Sequence, residues 1–195
     1  MPPIPCFWLE YTDELAQSLR RFTFSTGSKC PRRGDWGHDA SVRIENRPHK
    51  ARETIDYIRV DDTIRFDPRW PKQCDCGYEF LPTDEWQVSQ DWLMRRIDTN
   101  ELLPLRDAPV GSMWDAFWLE SMKTAMSRPN DGITLMVMTP QGEFFCDGKA
   151  GNSPGWTRTG VPNQHPPSVT ANPSIGPREG ETYHAWLRNG FLVPA

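Results

Sequence analysis

Residues 12–22 read TDELAQSLRRF, and the secondary structure assigned to them decides the fold class. Thr12 can cap a helix, Asp13 and Glu14 suit the positive end of its dipole, and Leu15, Leu19 and Phe22 recur at helical spacing. The stretch therefore predicts a helix. Residues 83–97, TDEWQVSQDWLMRRI, repeat the pattern, with Thr83 as the cap and Trp86, Leu93 and Ile97 marking a buried side. Short apolar runs around these two predict strands: PCFWLEY (5–11), the end of DTNELLPL (98–105), ITLMVMTPQGEFFCDG (133–148), SVTANPSI (168–175) and YHAWLRNGFLVP (183–194). Pro140-Gln141-Gly142 and Asn189-Gly190 supply hairpin turns. VGSMWDAFWLESM (110–122) reads as a short helix or an aromatic-lined loop, and residues 148–167 as a long loop. The expected class is α+β, with mostly antiparallel sheet and two or three short helices in one domain over 1–195. Residues 25–80 are its loop-rich part and 130–195 its β-rich part.

Composition narrows the function classes. The chain has 195 residues, enough to bury a core without staples, and its nine Trp and nine Phe should carry much of the packing. Nineteen Pro and fourteen Gly favour short strands and many turns. A net charge of −4 with no Lys/Arg block argues against nucleic-acid binding through phosphate neutralisation. The N-terminus MPPIPCFWLEYTDE has no basic region followed by an apolar one, and no apolar run reaches membrane-spanning length. The expectation is a soluble, cytoplasmic protein with no membrane partner. An odd number of cysteines, five, suggests reduced thiols and a metal site rather than a disulfide framework.

Cys30 and His38 close the stretch CPRRGDWGH, and QCDCGYEF contributes Cys74 and Cys76. Together they make a Cys₃His set suited to tetrahedral zinc. The Gly-Tyr after Cys76 resembles the end of a zinc knuckle, where glycine lets backbone N–H groups turn toward sulfur. All four positions would be filled by protein, so the zinc would be structural, pinning segment 25–80. His49 is the substitute ligand if His38 is not used. The alternative is four unconnected residues, since cysteine is common in cores; Cys6 and Cys146 fall in apolar runs and read as packing residues.

DAPVGSMWDAFWLESM (107–122), DGITLMVMTPQGEFFCDG (131–148) and YHAWLRNG (183–190), with Cys30, His38 and CDCGY, resemble a family of proteins found in bacteriophages and prophages. That resemblance carries no activity with it; it implies a bacterial host cell. FFCDG (144–148), NPSIG (172–176) and YHAWLRNGFLV (183–193) are similar to the closing pattern of BubE-type serine peptidases from bacterial ubiquitin-like operons. The second resemblance implies Ser174 as nucleophile and His184 as general base, with Asp147 matching the acid of the Asp-Gly pair. This chain departs from the pattern in having Asn172 where a His often precedes Pro-Ser, and in a longer loop before NPSIG.

On the residues alone, a serine is a nucleophile only with a base in hydrogen-bond reach, and Asp147, Glu179 or Glu181 could orient the imidazole. Pro-Ser and Gly-Pro are also ordinary turn signals. His165 is a spare base on the long loop. Trp114, Phe117 and Trp118 could line a pocket but more often form core, and Asp115 among them needs a partner if buried. Two functions follow. One is a Ser174-His184-Asp147 hydrolase acting on a protein, ubiquitin-like substrate. The other is a zinc-stabilised, non-enzymatic phage protein that binds a protein partner in a host-factor, regulatory or counter-defence role.

Overall fold

The computed structural model describes residues 1–23, 29–31, 37–56, 58, 60, 62–119, 131–147, 157–172, 175 and 183–195. In chain order they form β1 (Ile4–Pro5), β2 (Phe7–Phe22), β3 (Asp39–Pro48), α1 (Asp62–Arg65), β4 (Glu85–Arg96), β5 (Leu102–Pro104) and a 3₁₀ turn (Leu105–Asp107). There follow β6 (Ser112–Asp115), β7 (Leu135–Thr139), β8 (Gly142–Phe145), β9 (Thr157–Thr159), β10 (Thr170–Asn172), β11 (Ala185–Arg188) and β12 (Phe191–Pro194). The longest helix among the described residues has four residues. The protein is mostly β, not the α+β fold with two or three helices that the sequence suggests.

Both expected helices are strands. Residues 12–22 lie in the sixteen-residue β2, and 83–97 contain β4. The misreading has a geometric cause. Leu15 and Leu19 are four residues apart, which puts them on one face of a helix and, because four is even, on one face of a strand. Period-two alternation could have decided between them, but Leu15, Ala16, Gln17, Ser18 and Leu19 are all buried. A strand covered on both faces loses its alternation. The helix caps serve elsewhere: the Thr12 hydroxyl donates to the Leu93 carbonyl at 2.7 Å, and Thr83 sits in a turn closed by Leu81 N–H donating to the Asp84 carboxylate at 2.6 Å.

The chain divides into two compact units, one of Thr12–Leu93 and one of Met1–Tyr11 with Met94–Ala195. In the Thr12–Leu93 unit, β2 has β3 and β4 as neighbours. The β2–β3 ladder is antiparallel from Glu14↔Pro48 to Phe22↔Asp39, with a bulge beside Gln17 and Ser18. Among its described residues, Leu19, Trp70 and Val88 form one buried apolar group and Cys30, Cys74 and Phe80 another, and Leu15, Ala16 and Leu93 are buried as well.

In the second unit, β6 pairs in parallel with the start of β2 (Phe7↔Ser112) and antiparallel with β7, which forms a hairpin with β8 around the Pro140-Gln141 turn. β12 lies between β1 and β11, and β9 pairs with β10. Asn189 and Gly190 both have positive φ, 46° and 75°, so the β11–β12 turn is the type that matches the twist of its strands. VGSMWDAFWLESM holds β6, with 120–122 outside the described residues; the long loop holds β9, with 148–156 outside them. One core of eleven buried residues, including Trp8, Met113, Leu135, Val137, Leu187 and Leu192, fills this unit. Each side chain of that size stabilises by about 1.5–3 kcal/mol when fully buried.

Candidate metal centre

The sulfurs of Cys30, Cys74 and Cys76 and a ring nitrogen of His38 all lie within 4.8 Å of one another. Zinc–sulfur bonds of about 2.3 Å and zinc–nitrogen bonds of about 2.0 Å in a tetrahedron put ligand atoms roughly 3.3–3.8 Å apart. The cluster spans that range, and His38 Nδ1, 3.1 Å from Cys76 Sγ, is the nitrogen turned inward. Cys30, His38 and Cys74 are buried, and Cys76 is half-buried. Three thiols and an imidazole concentrated away from water form a donor set for a soft, tetrahedral dication.

Local structure explains how Cys74, Cys76 and His38 are placed. The stretch from Lys72 to Phe80 folds back on itself: Phe80 N–H donates to the Lys72 carbonyl at 2.9 Å, Cys74 N–H to Tyr78 at 2.8 Å and Gly77 N–H to Cys74 at 2.8 Å. Gly77 has φ of 94°, a conformation that L side chains resist, and it closes the turn that carries Cys74 and Cys76. His38 is held from the other side. Its N–H donates to the Thr23 hydroxyl, and its carbonyl accepts from Thr23 N–H, both at 2.9 Å. Gly37 makes this approach feasible, because a Cβ there would stand 2.5 Å from the Thr23 carbonyl oxygen. The His38 ring then stacks on Tyr78, centroids 4.0 Å apart and planes 6° from parallel.

The thiols are electrostatically opposed. Burial pushes Cys74 up, but N–H groups of Cys76 and Asp39, with His38 and the Cys76 thiol, outweigh it and lower its pKa. For Cys76 the Tyr78 N–H pulls down, yet desolvation and the neighbouring Cys74 and Cys30 sulfurs raise the net value. Backbone N–H groups pointing at sulfur are the arrangement expected of the Gly-Tyr knuckle.

Around the cluster, Arg21 is 6 % exposed and lies over the rings of Trp86 (3.9 Å) and Phe80 (5.2 Å), donating to the carbonyls of Pro71 and Leu81. Desolvation lowers its pKa, partly offset by Asp84 and Tyr78. His49 stands apart from the cluster, with Nε2 3.1 Å from the Glu53 carbonyl. Cys6 and Cys146 are buried in the core of the other unit, where burial pushes the Cys6 thiol up to about 12 and also raises the Cys146 thiol well above its ordinary value.

The residues expected to form a catalytic triad are placed as follows. Ser174 lies outside the described residues, as do Glu179 and Glu181. His184 is exposed, immediately before β11, with its ring 6.5 Å from that of Trp186. Ile175 and Ala185, the positions after Ser174 and His184, pair through backbone hydrogen bonds of 2.7 and 3.1 Å. Asp147 is buried, with one oxygen accepting from Leu135 N–H at 2.6 Å and the other from Arg158 Nε at 2.9 Å. Burial raises its carboxyl pKa, against the pull of those two donors. Arg158, whose side chain is 1 % exposed, also donates to Asp131 and to the Ile133 carbonyl. Nothing in the sequence around Arg158 announces this network.

Trp114 is fully buried, and Asp115 finds its partner in Thr134 N–H, 2.9 Å from its carboxylate. His165 is exposed on the wall of a cavity. No helix among the described residues is long and apolar enough to cross a membrane. Comparison with protein-family models, curated proteins and solved structures finds no match to this chain.

Proposed function

We propose that this chain is a non-enzymatic interaction protein whose Thr12–Leu93 unit is held together by one structural zinc ion. The observation that carries the reading is the convergence of Cys30, His38, Cys74 and Cys76. Four protein donors fill a tetrahedron and leave no position for substrate or activated water, so the ion would supply folding energy rather than chemistry. Asp147 supports the same side: its two oxygens serve Leu135 and Arg158, the pattern of a structural carboxylate. The likeness to phage proteins fits a partner that is a host protein.

A second reading keeps Ser174 as a nucleophile with His184 as base, on the strength of the Ile175–Ala185 pairing beside both residues. A fluorophosphonate probe separates the two. The interaction reading expects no labelling of the wild-type protein. Labelling that disappears in Ser174→Ala would overturn it in favour of a serine hydrolase.

A further inference from the structure

The β11–β12 hairpin presents a face that neither the metal nor the core uses. Ala185 and Leu187 point inward and are buried, so His184, Trp186 and Arg188 share the opposite side of the strand. Phe191, 43 % exposed, stands across from Arg188, and Val193 across from Trp186. The Arg188 guanidinium lies over the Trp186 ring, 4.8 Å from its centre. Among the described residues it has no carboxylate partner, which leaves its donors directed at solvent in a chain of net charge −4.

Phe191 also walls a cavity of about 680 Å³, together with Pro5, Phe7, Val110 and His165. That volume lies within the range that holds a compact organic group, and it exceeds what one aromatic side chain needs. An arginine clamped on tryptophan beside an apolar cavity combines the residue types that dominate protein-binding hot spots.

We propose that this face captures a short acidic and aromatic segment of a partner protein. Its carboxylate would pair with Arg188, and a neighbouring aromatic side chain would enter the cavity beside Phe191. Planar guanidinium matches a carboxylate bidentately, and the stack on Trp186 pre-orders it for that contact. Nucleic acid fits less well, because phosphate tracking requires several cations in series and this face offers one unpaired arginine. The inference rests on the interaction-protein reading but not on the zinc.

The test uses the full chain, ¹⁵N-labelled, and a set of terminally blocked hexapeptides, each with one aromatic residue beside Asp or Glu. A matched set carries Asn or Gln instead. The expected result is saturable amide shifts at 184–193 with acidic members, and affinities roughly tenfold weaker for the neutral set. Arg188→Glu should weaken acidic binding by a similar factor while the spectrum outside the hairpin and the metal content stay unchanged. Equal binding of both sets, no binding by any member, or an unaffected Arg188→Glu variant would overturn the proposal. So would an oligothymidylate that displaces the acidic peptides. Fluorophosphonate labelling reports separately on whether the chain is an enzyme, so the two failures are distinguishable.

Discussion

The two units of this protein differ in the polar side chains they bury beside their apolar residues. The unit built from Met1–Tyr11 and Met94–Ala195 packs eleven buried residues into one apolar core and ties it with a buried Arg158–Asp147 pair. Among its described residues, the unit Thr12–Leu93 buries Leu15, Ala16 and Leu93 together with two further groups of three, one of which contains two of the candidate metal-site cysteines. A metal ion held by Cys30, His38, Cys74 and Cys76 would add to this burial and pin the loop-rich sequence between β2 and β4.

The comparison breaks most visibly at the ligands. Cys74→Ser should remove hydrogen-exchange protection from β3 and the 72–80 turn while leaving β7, β11 and β12 protected. A structural zinc ion contributes on the order of 10 kcal/mol to small metal-bound domains, so on the zinc reading this should be the largest effect. Equal loss in both units would erase the distinction.

Asp147→Ala probes the other unit. It removes the buried one of two carboxylates on Arg158, leaving Asp131, and takes the acceptor from Leu135 N–H, at a cost of about 1–3 kcal/mol that should lower the urea midpoint accordingly. Asp147→Asn keeps an acceptor for Arg158 and should cost less. If the alanine variant is as stable as wild type, the buried pair is not what ties this unit.

Gly37→Ala sharpens the metal side. A methyl group 2.5 Å from the Thr23 carbonyl, at φ of 72°, must displace the turn that carries His38. The expected cost is about 1–3 kcal/mol, read as weaker zinc retention in competition with a chelator. A variant that holds zinc as tightly as wild type would show that the Thr23–His38 clamp is dispensable.

The smallest effect is electrostatic. Arg96 holds the Asp98 carboxyl below its ordinary range through paired hydrogen bonds of 3.0 and 2.7 Å. A depressed carboxyl contributes stability above its unfolded pKa, near 4, and loses it as pH falls through the lower folded value. Stability should drop by no more than about 1 kcal/mol on acidification through that window, and Asp98→Asn should flatten the dependence. Urea titrations at stepped pH values check both.

How much of this was legible beforehand depends on the range of the interaction. The two hairpins were readable because Pro140-Gln141-Gly142 and Asn189-Gly190 specify turns locally. The four clustered residues were readable because thiols and imidazoles are chemically distinctive, even though their convergence joins segments far apart in the chain. The start of β2 was readable in PCFWLEY, but β2 beyond Tyr11 and β4 were not, because burial on both faces removes the alternation that would have overruled helical spacing. Asp147 was seen as the acid of an Asp-Gly pair, but its partner Arg158 sits on β9, within what reads as an unbroken loop.

The central proposal is that one zinc ion held by Cys30, His38, Cys74 and Cys76 pins the Thr12–Leu93 unit, and metal analysis of the purified native chain tests it most directly. The account predicts about one zinc per chain, and a cobalt-substituted form with the intense thiolate charge-transfer and tetrahedral ligand-field bands of a Cys₃His site. Less than about half an equivalent of zinc, or a cobalt spectrum without thiolate bands, would contradict it.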